Sequence, residues 1–225
     1  MAVFLPATMT LHTIQFGDEG QVATRELLKR FESAGPEAAF YLKTFESLDR
    51  QYGGSGPLPV EDAGELVAAA LDEMSRLESR DEFADLTLGI ALWAVRHGIG
   101  IQRVEPVANA LAVRSNRAAS TQELVAVFGL MQGLIAHVEP RLGPDLERSD
   151  PQRPWRILHA NFAITAVRTG DAALMDFAFD ALDRALPDEA AGFYSEALAR
   201  ALSPRISPQV RERIEARHLK WMSAR

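Results

Sequence analysis

Ala91-Leu92-Trp93-Ala94-Val95-Arg96-His97-Gly98 and, 72 residues further on, Ala163-Ile164-Thr165-Ala166-Val167-Arg168-Thr169-Gly170 share one pattern, Ala-x-x-Ala-Val-Arg-x-Gly. Two alanines three apart stand on one face of a helix, and their small side chains let a neighbouring helix come close. The glycine ends that helix at a turn. In each copy a second helix follows, closing with Ala110-Leu111 or with Ala181-Leu182. The offset of 72 is about twice the length of a helix-pair repeat. The pattern therefore reads as a hairpin of antiparallel helices used more than once.

Working outward, the same helical period covers most of the chain. Leu27, Leu28 and Phe31 place a helix over 18–33, which Gly35-Pro36 ends. Ala39, Phe40, Leu42, Phe45 and Leu48 carry a second up to Gly53-Gly54, and Gly53-Gly54-Ser55-Gly56-Pro57 reads as a linker. Leu66, Val67, Ala70, Leu71, Met74 and Leu77 form one stripe of a helix over 60–78. Helices over 81–97 and 103–117 follow. Ser120 and Glu123 then make a capping box that opens an apolar helix over 120–138, expected to be central. Residues 139–154 hold four of the twelve prolines and read as a long connection. Beyond it the pattern gives helices over 154–169, 171–186, 188–202 and 207–222. Only 9–16 looks strand-like, and one strand makes no sheet. The expected class is all-α: an N-terminal arm (1–17) and one helical domain (18–225), whose halves 18–139 and 154–225 are joined by the proline-rich connection.

The second copy resembles the tetratricopeptide-repeat family. Thr169-Gly170-Asp171 matches that family's inter-helix turn, Phe179 its second-helix aromatic and Pro187-Asp188 the end of its repeat. Ala163 falls where the family keeps a small residue, and Phe162 where it keeps a large aliphatic one. His159 and Ala166 depart from its aromatic positions, and Met175 replaces its usual alanine. The resemblance covers 154–222, and 81–117 more loosely. It implies a TPR-like α-α superhelix, with a compact helical bundle as the alternative architecture. It also implies a non-enzymatic scaffold that binds a peptide or partner protein in a concave groove lined by first helices. On this chain that face carries Asn161, Thr165 and Arg168, with Arg96 at the matching place in the earlier copy. Arginine suits bidentate carboxylate recognition. Capping of nearby carbonyls is the competing role for Arg96 and Arg168.

Composition narrows the rest. The 225 residues are 47% apolar and 24% charged, as in a globular chain, with a net charge of −7. That balance argues against a general nucleic-acid binder, whose affinity rests on neutralising phosphate. With no cysteine, disulfides, thiolate catalysis and Cys-based metal centres are excluded. The first basic residue is Arg25 and the apolar runs are short, so neither a signal peptide nor a membrane span is expected, and the compartment reads as cytoplasmic. Only three of the 24 basic residues are lysine, a usage that fits a GC-rich bacterial genome.

No catalytic or metal constellation stands out, and no cofactor is expected. The histidines are His12, His97, His137, His159 and His218. Only Glu215-Ala216-Arg217-His218 has the i, i+3 spacing of a carboxylate-bridged metal pair, and it stands alone. Gly53–Gly56 lacks both the nucleophile-elbow and the phosphate-loop spacing. Pairs such as Glu61-Asp62, Asp72-Glu73 and Asp81-Glu82 read as solvated helix starts. Two charged features remain. Asp176, Asp180 and Asp183 form an acidic stripe on one helix face, either solvated or a docking surface for a basic partner. Residues 203–225 carry a net +4, while 18–85 carries −9. The basic C-terminal helix reads as the cap of the array, with contact to an acidic partner or to a second copy as the alternative. A homodimer would use that helix or the arm 1–16. An all-α enzyme or ligand-binding protein with a pocket built from distant helices is the second functional reading.

Overall fold

The structure, a computed structural model, describes residues 40, 41, 43–45, 47, 63–76, 83–146, 148–204 and 206–223. The arm 1–17, His12, the helix over 18–33, the linker 53–57, Glu61-Asp62 and Asp81-Glu82 lie outside the described residues. The fold is all-α. Residues 40, 41, 43–45 and 47 are helical. Eight further helices follow among the described residues: α1 (Ala63–Arg76), α2 (Ala84–Arg96), α3 (Val104–Arg117), α4 (Thr121–Leu142), α5 (Pro154–Thr169), α6 (Ala172–Ala185), α7 (Pro187–Ala201) and α8 (Pro208–Ser223).

The chain divides into two compact units. One takes residues up to Arg114 with Ala136–Val138, the other Ser115–Ile135 and everything from Glu139 onward. The division thus falls in the last turn of α3 and again within α4, and the proline-rich stretch 139–154 lies inside the second unit. Pro140 does not end its helix, because α4 runs on to Leu142. A proline this close to a helix end removes a single backbone bond.

In the first unit, α1 buries Ala63, Val67, Ala70, Leu71 and Met74 on the stripe that the spacing predicts. It packs on α2, whose Ala91 and Ala94 are fully buried. Trp93 of α2 meets the Phe45 ring edge-on at 5.0 Å and the His97 ring at 4.8 Å. His97 caps the C-terminus of α2, and Gly98 follows at φ +67°, the left-handed turn that favours glycine. Asp72 accepts from Arg76 at 2.6 Å and pairs with Arg103 at 2.7 Å. His137 Nε2 lies 2.8 Å from the Ile99 carbonyl oxygen.

The second unit shows how short signals set helix limits. Ser120 Oγ accepts from the Glu123 N–H at 3.2 Å, while the Glu123 carboxylate reaches back to the N–H of Ala119, one residue before the usual capping-box donor. Proline opens α5, α7 and α8, where its missing N–H costs nothing. Gly170, at φ +70°, turns α5 into α6, and the Asp171 carboxylate caps α6 by accepting from Ala173 and Leu174. α5 and α6 form one hairpin and α7 and α8 another, with α6 touching both members of the second. Phe128 of α4 stacks on Phe162 of α5 at 4.2 Å, and Tyr194 of α7 meets Phe179 of α6 edge-on at 5.3 Å. Ala163 and Ala166 are fully buried, like their counterparts in the first copy.

Candidate functional site

Of the four residues expected to line a groove, two are joined by a third that the sequence did not single out. Thr165 is 1% exposed, and its Oγ1 lies 2.9 Å from Ser115 Oγ, itself buried at the end of α3. Arg168 Nη1 donates to the Ser115 carbonyl at 2.5 Å and to Ser115 Oγ at 3.0 Å. Thr165 therefore belongs to a buried polar junction and not to an open face, a correction that follows from Ser115. Arg168 takes the carbonyl-capping role at that nitrogen. On α5, Ile164 (40% exposed) and Arg168 are exposed, and Asn161, three residues before Ile164, is half-buried, as are Ile157, Ala160 and Val167. Arg96 closes α2 in the other unit.

The acidic stripe and the basic helix find each other. Arg213 pairs with Asp176, Arg217 with Asp180 at 2.7 Å, and Lys220 with Asp183 at 2.9 Å. The acids are spaced four then three along α6, the cations four then three along α8, and each pair is 37 residues apart. A constant offset requires the two helices to run parallel, with α7 returning between them. Asp183 is the hub of this ladder. Its Oδ1 accepts from Tyr194 Oη at 2.8 Å and Trp221 Nε1 at 2.9 Å, its Oδ2 from Arg217 at 3.0 Å and Lys220 at 2.9 Å. Four donors fill the acceptor sites of one carboxylate. Burial works to raise the Asp183 pKa, but the hydrogen bonds from Lys220, Tyr194 and Trp221 outweigh it and hold the group below its usual range. Burial and the Asp183 bond together push the Tyr194 phenol far above its ordinary value. The stripe's basic partner is thus a helix of the same chain.

A second cluster forms at the start of α5 and α7. Arg153, 4% exposed, gives its Nε and one Nη2 proton to the two Asp145 oxygens at 2.6 and 3.1 Å. Its Nη1 donates to the carbonyls of Arg148 and Asp150, and Nη2 also to Glu189. All five guanidinium donors are used. Asp145 meets this geometry at φ +47°, a left-handed conformation that Asp tolerates better than most residues. Arg156 shares Glu189, and Arg148 pairs with Asp188 at 3.1 Å across a cleft of about 200 Å³. The Asp145 hydrogen bond raises the Arg153 pKa. For Glu189, burial is outweighed by the bonds from Arg153 and Arg156, and its pKa falls. The arrangement pins the proline-rich loop to two helix starts. It offers matched pairs and no unpartnered acid or base.

Trp155 and His159, one turn apart on α5, pack edge-to-face at 4.3 Å, and the structure pairs neither the indole N–H nor either ring nitrogen of His159 with a hydrogen-bonding group. Burial, helped by the charge of Arg184, pushes the His159 pKa down to about 4, so the ring is neutral at pH 7. Among the described residues no group of three or more His, Asp or Glu side chains is placed to hold a metal ion. α4 is long and apolar enough by length and composition to cross a membrane. Its Leu124, Val127, Phe128, Met131 and Leu134 are buried within the protein.

Comparison with protein-family models, curated proteins and solved structures finds no match to this chain.

Proposed function

We propose that the chain is a non-enzymatic scaffold for protein–protein interaction, built of TPR-like stacked helix hairpins and working in the cytoplasm. The observation that supports this most is the parallel run of α6 and α8 at a constant offset of 37 residues. Second helices that run parallel one hairpin apart are what hairpin stacking produces, and stacking leaves first helices free to line a shared face. On α5 that face is Asn161, Ile164 and Arg168: an amide for backbone groups, an exposed aliphatic side chain and a guanidinium. An extended peptide or a partner helix with an apolar anchor and a carboxylate fits that set.

The test is affinity capture with the full chain and with Ile164→Asp, compared by mass spectrometry at matched loading. Ile164 is 40% exposed, so the exchange gives up part of its burial, about 1–2 kcal/mol, and the comparison is made where the variant stays folded. The reading expects at least one protein recovered by the native chain to fall tenfold or more with the variant. Equal recovery by both would contradict it.

A further inference from the structure

Asp150-Pro151 is the one Asp–Pro bond in the sequence. It lies in the connection between α4 and α5, and both residues are exposed, so water and acid reach it. Acid breaks an Asp–Pro bond more readily than other backbone amides for two chemical reasons. The aspartyl carboxyl closes a five-membered ring on its own carbonyl carbon, and the departing proline nitrogen, a ring amine, takes up a proton more readily than a primary amine. The fold adds a third. The Asp150 carbonyl oxygen accepts from both the backbone N–H of Arg153 at 3.3 Å and its Nη1 at 3.0 Å. Arg153 is 4% exposed, and Asp145 and Glu189 hold its other side-chain nitrogens, so the guanidinium is fixed on that oxygen. A fixed cation there draws electrons from the carbonyl carbon and stabilises the negative charge that builds on the oxygen when a nucleophile adds. The nucleophile is held as well: the Gln152 N–H donates to Asp150 Oδ1 at 2.8 Å, which keeps the carboxylate beside its own backbone.

We propose that the chain cuts itself at Asp150–Pro151 in mild acid, with Asp150 as the nucleophile and Arg153 as the group that stabilises the oxyanion. A carboxyl oxygen of Asp150 adds to the Asp150 carbonyl carbon. The C–N bond to Pro151 then breaks, and the carboxyl proton goes to the proline nitrogen. The first piece is left with a cyclic anhydride, which one water molecule opens to a C-terminal aspartic acid. One peptide bond and one water are consumed, one carboxyl and one amine are formed, and nothing is oxidised or reduced. The cut falls between α4 and α5. The Phe128–Phe162 stack and the bonds of Arg153 to Asp145 and of Arg168 to Ser115 still join the two pieces. Cleavage therefore frees the loop after α4 and leaves the helices assembled. Nothing in this depends on the Asn161–Ile164–Arg168 face, so either proposal can fail alone.

The experiment holds the full chain at pH 5 and 37 °C with protease inhibitors, beside a synthetic peptide of residues 145–156, and follows intact masses with time. The folded chain is expected to give pieces 1–150 and 151–225, the second beginning at Pro151, at least tenfold faster than the peptide is cut and more slowly at pH 7. Asp150→Ala and Pro151→Ala change exposed positions and should leave the chain whole. Cutting that persists in Asp150→Ala would point to a contaminating protease and overturn the proposal. A folded chain cut no faster than the peptide would overturn it too, because the bond would then owe nothing to Arg153. Arg153→Gln should bring the rate down to that of the peptide, and a rate equal to the native chain's would remove Arg153 from the reaction. Should that variant unfold, the native chain in 6 M guanidinium at pH 5 takes its place. Loss of the tenfold advantage on unfolding is the expected result, and an unchanged rate would contradict the proposal.

Discussion

The two ion-pair clusters of the second unit use the same residue types and differ in burial. At the start of α5 and α7, Arg153 and Asp145 are almost completely enclosed, with 5% and 6% of their side chains exposed. On the ladder, Arg213 and Asp176 are 38% and 47% exposed, and only Asp183 approaches the enclosure of the first cluster. In the enclosed cluster every donor must be met, because an unpaired buried charge is costly. In the open one water makes up for a lost partner, and what the pairs supply is register. One cluster pins a loop; the other aligns two helices.

Four experiments sharpen that contrast. The largest effect belongs to Asp145→Asn, which keeps a residue that tolerates the left-handed turn while removing the charge facing Arg153. A loss of about 3 kcal/mol is expected in urea unfolding, with little salt dependence. A loss under 1 kcal/mol would place the cluster with the open pairs.

The next effect is a pH dependence. His159 binds a proton at about pH 6.5 when unfolded but only near pH 4 when folded. Between those values the unfolded state holds the extra proton, so stability falls as pH falls, by on the order of 3 kcal/mol. The lowered carboxylates Asp183 and Glu189 act in the same direction at lower pH, where their folded pKa values are crossed. Unfolding midpoints of the native chain and of His159→Gln, measured from pH 7 to 4, should diverge in slope; parallel curves would remove His159 as the cause.

Asp183→Asn comes third, at about 1–3 kcal/mol, because the amide keeps a shape that fits the pocket while confronting cationic donors. Its amide N–H donors face Arg217 and Lys220, and Trp221 emission should move to longer wavelength in the variant. The smallest effect is for Asp176→Asn, about 0.5 kcal/mol or less and vanishing in 0.5 M salt. A larger or salt-independent loss would show that the outer rung is as enclosed as Arg153.

Much of the fold was legible in the sequence because its signals are local. The paired Ala-x-x-Ala-Val-Arg-x-Gly segments, the Ser120 cap and the proline starts each act within one or two helical turns. Both glycines take the left-handed turn, and all four alanines are buried. Pro140 misled because chain position, and not residue type, decides whether a proline ends a helix. The candidate sites were less legible because they join residues far apart in the chain. Ser115 and Thr165 are 50 residues apart, Arg153 and Glu189 36. Nothing in the neighbourhood of Thr165 announces Ser115, so its burial was not foreseeable. The ladder did leave a trace: the acidic stripe and the basic C-terminal helix both stand out, and the four-three spacing shared by their charges at a fixed offset is the signal that links them. The stripe reads as solvated or as a docking surface and the basic helix as the cap of the array; neither reading pairs the two, although each is the simplest complement to the other.

The central claim, that α6 and α8 run parallel in a 37-residue register, is open to a direct test because the chain has no cysteine. Cysteine pairs replace Asp176 with Arg213, Asp183 with Lys220 and, as the crossed pair, Asp176 with Lys220. A short bifunctional thiol reagent is applied to dilute protein and the linked peptides are counted by mass spectrometry. Intramolecular links are expected for 176–213 and 183–220 and none for 176–220. Efficient linking of the crossed pair, with the matched pairs unlinked, would contradict it.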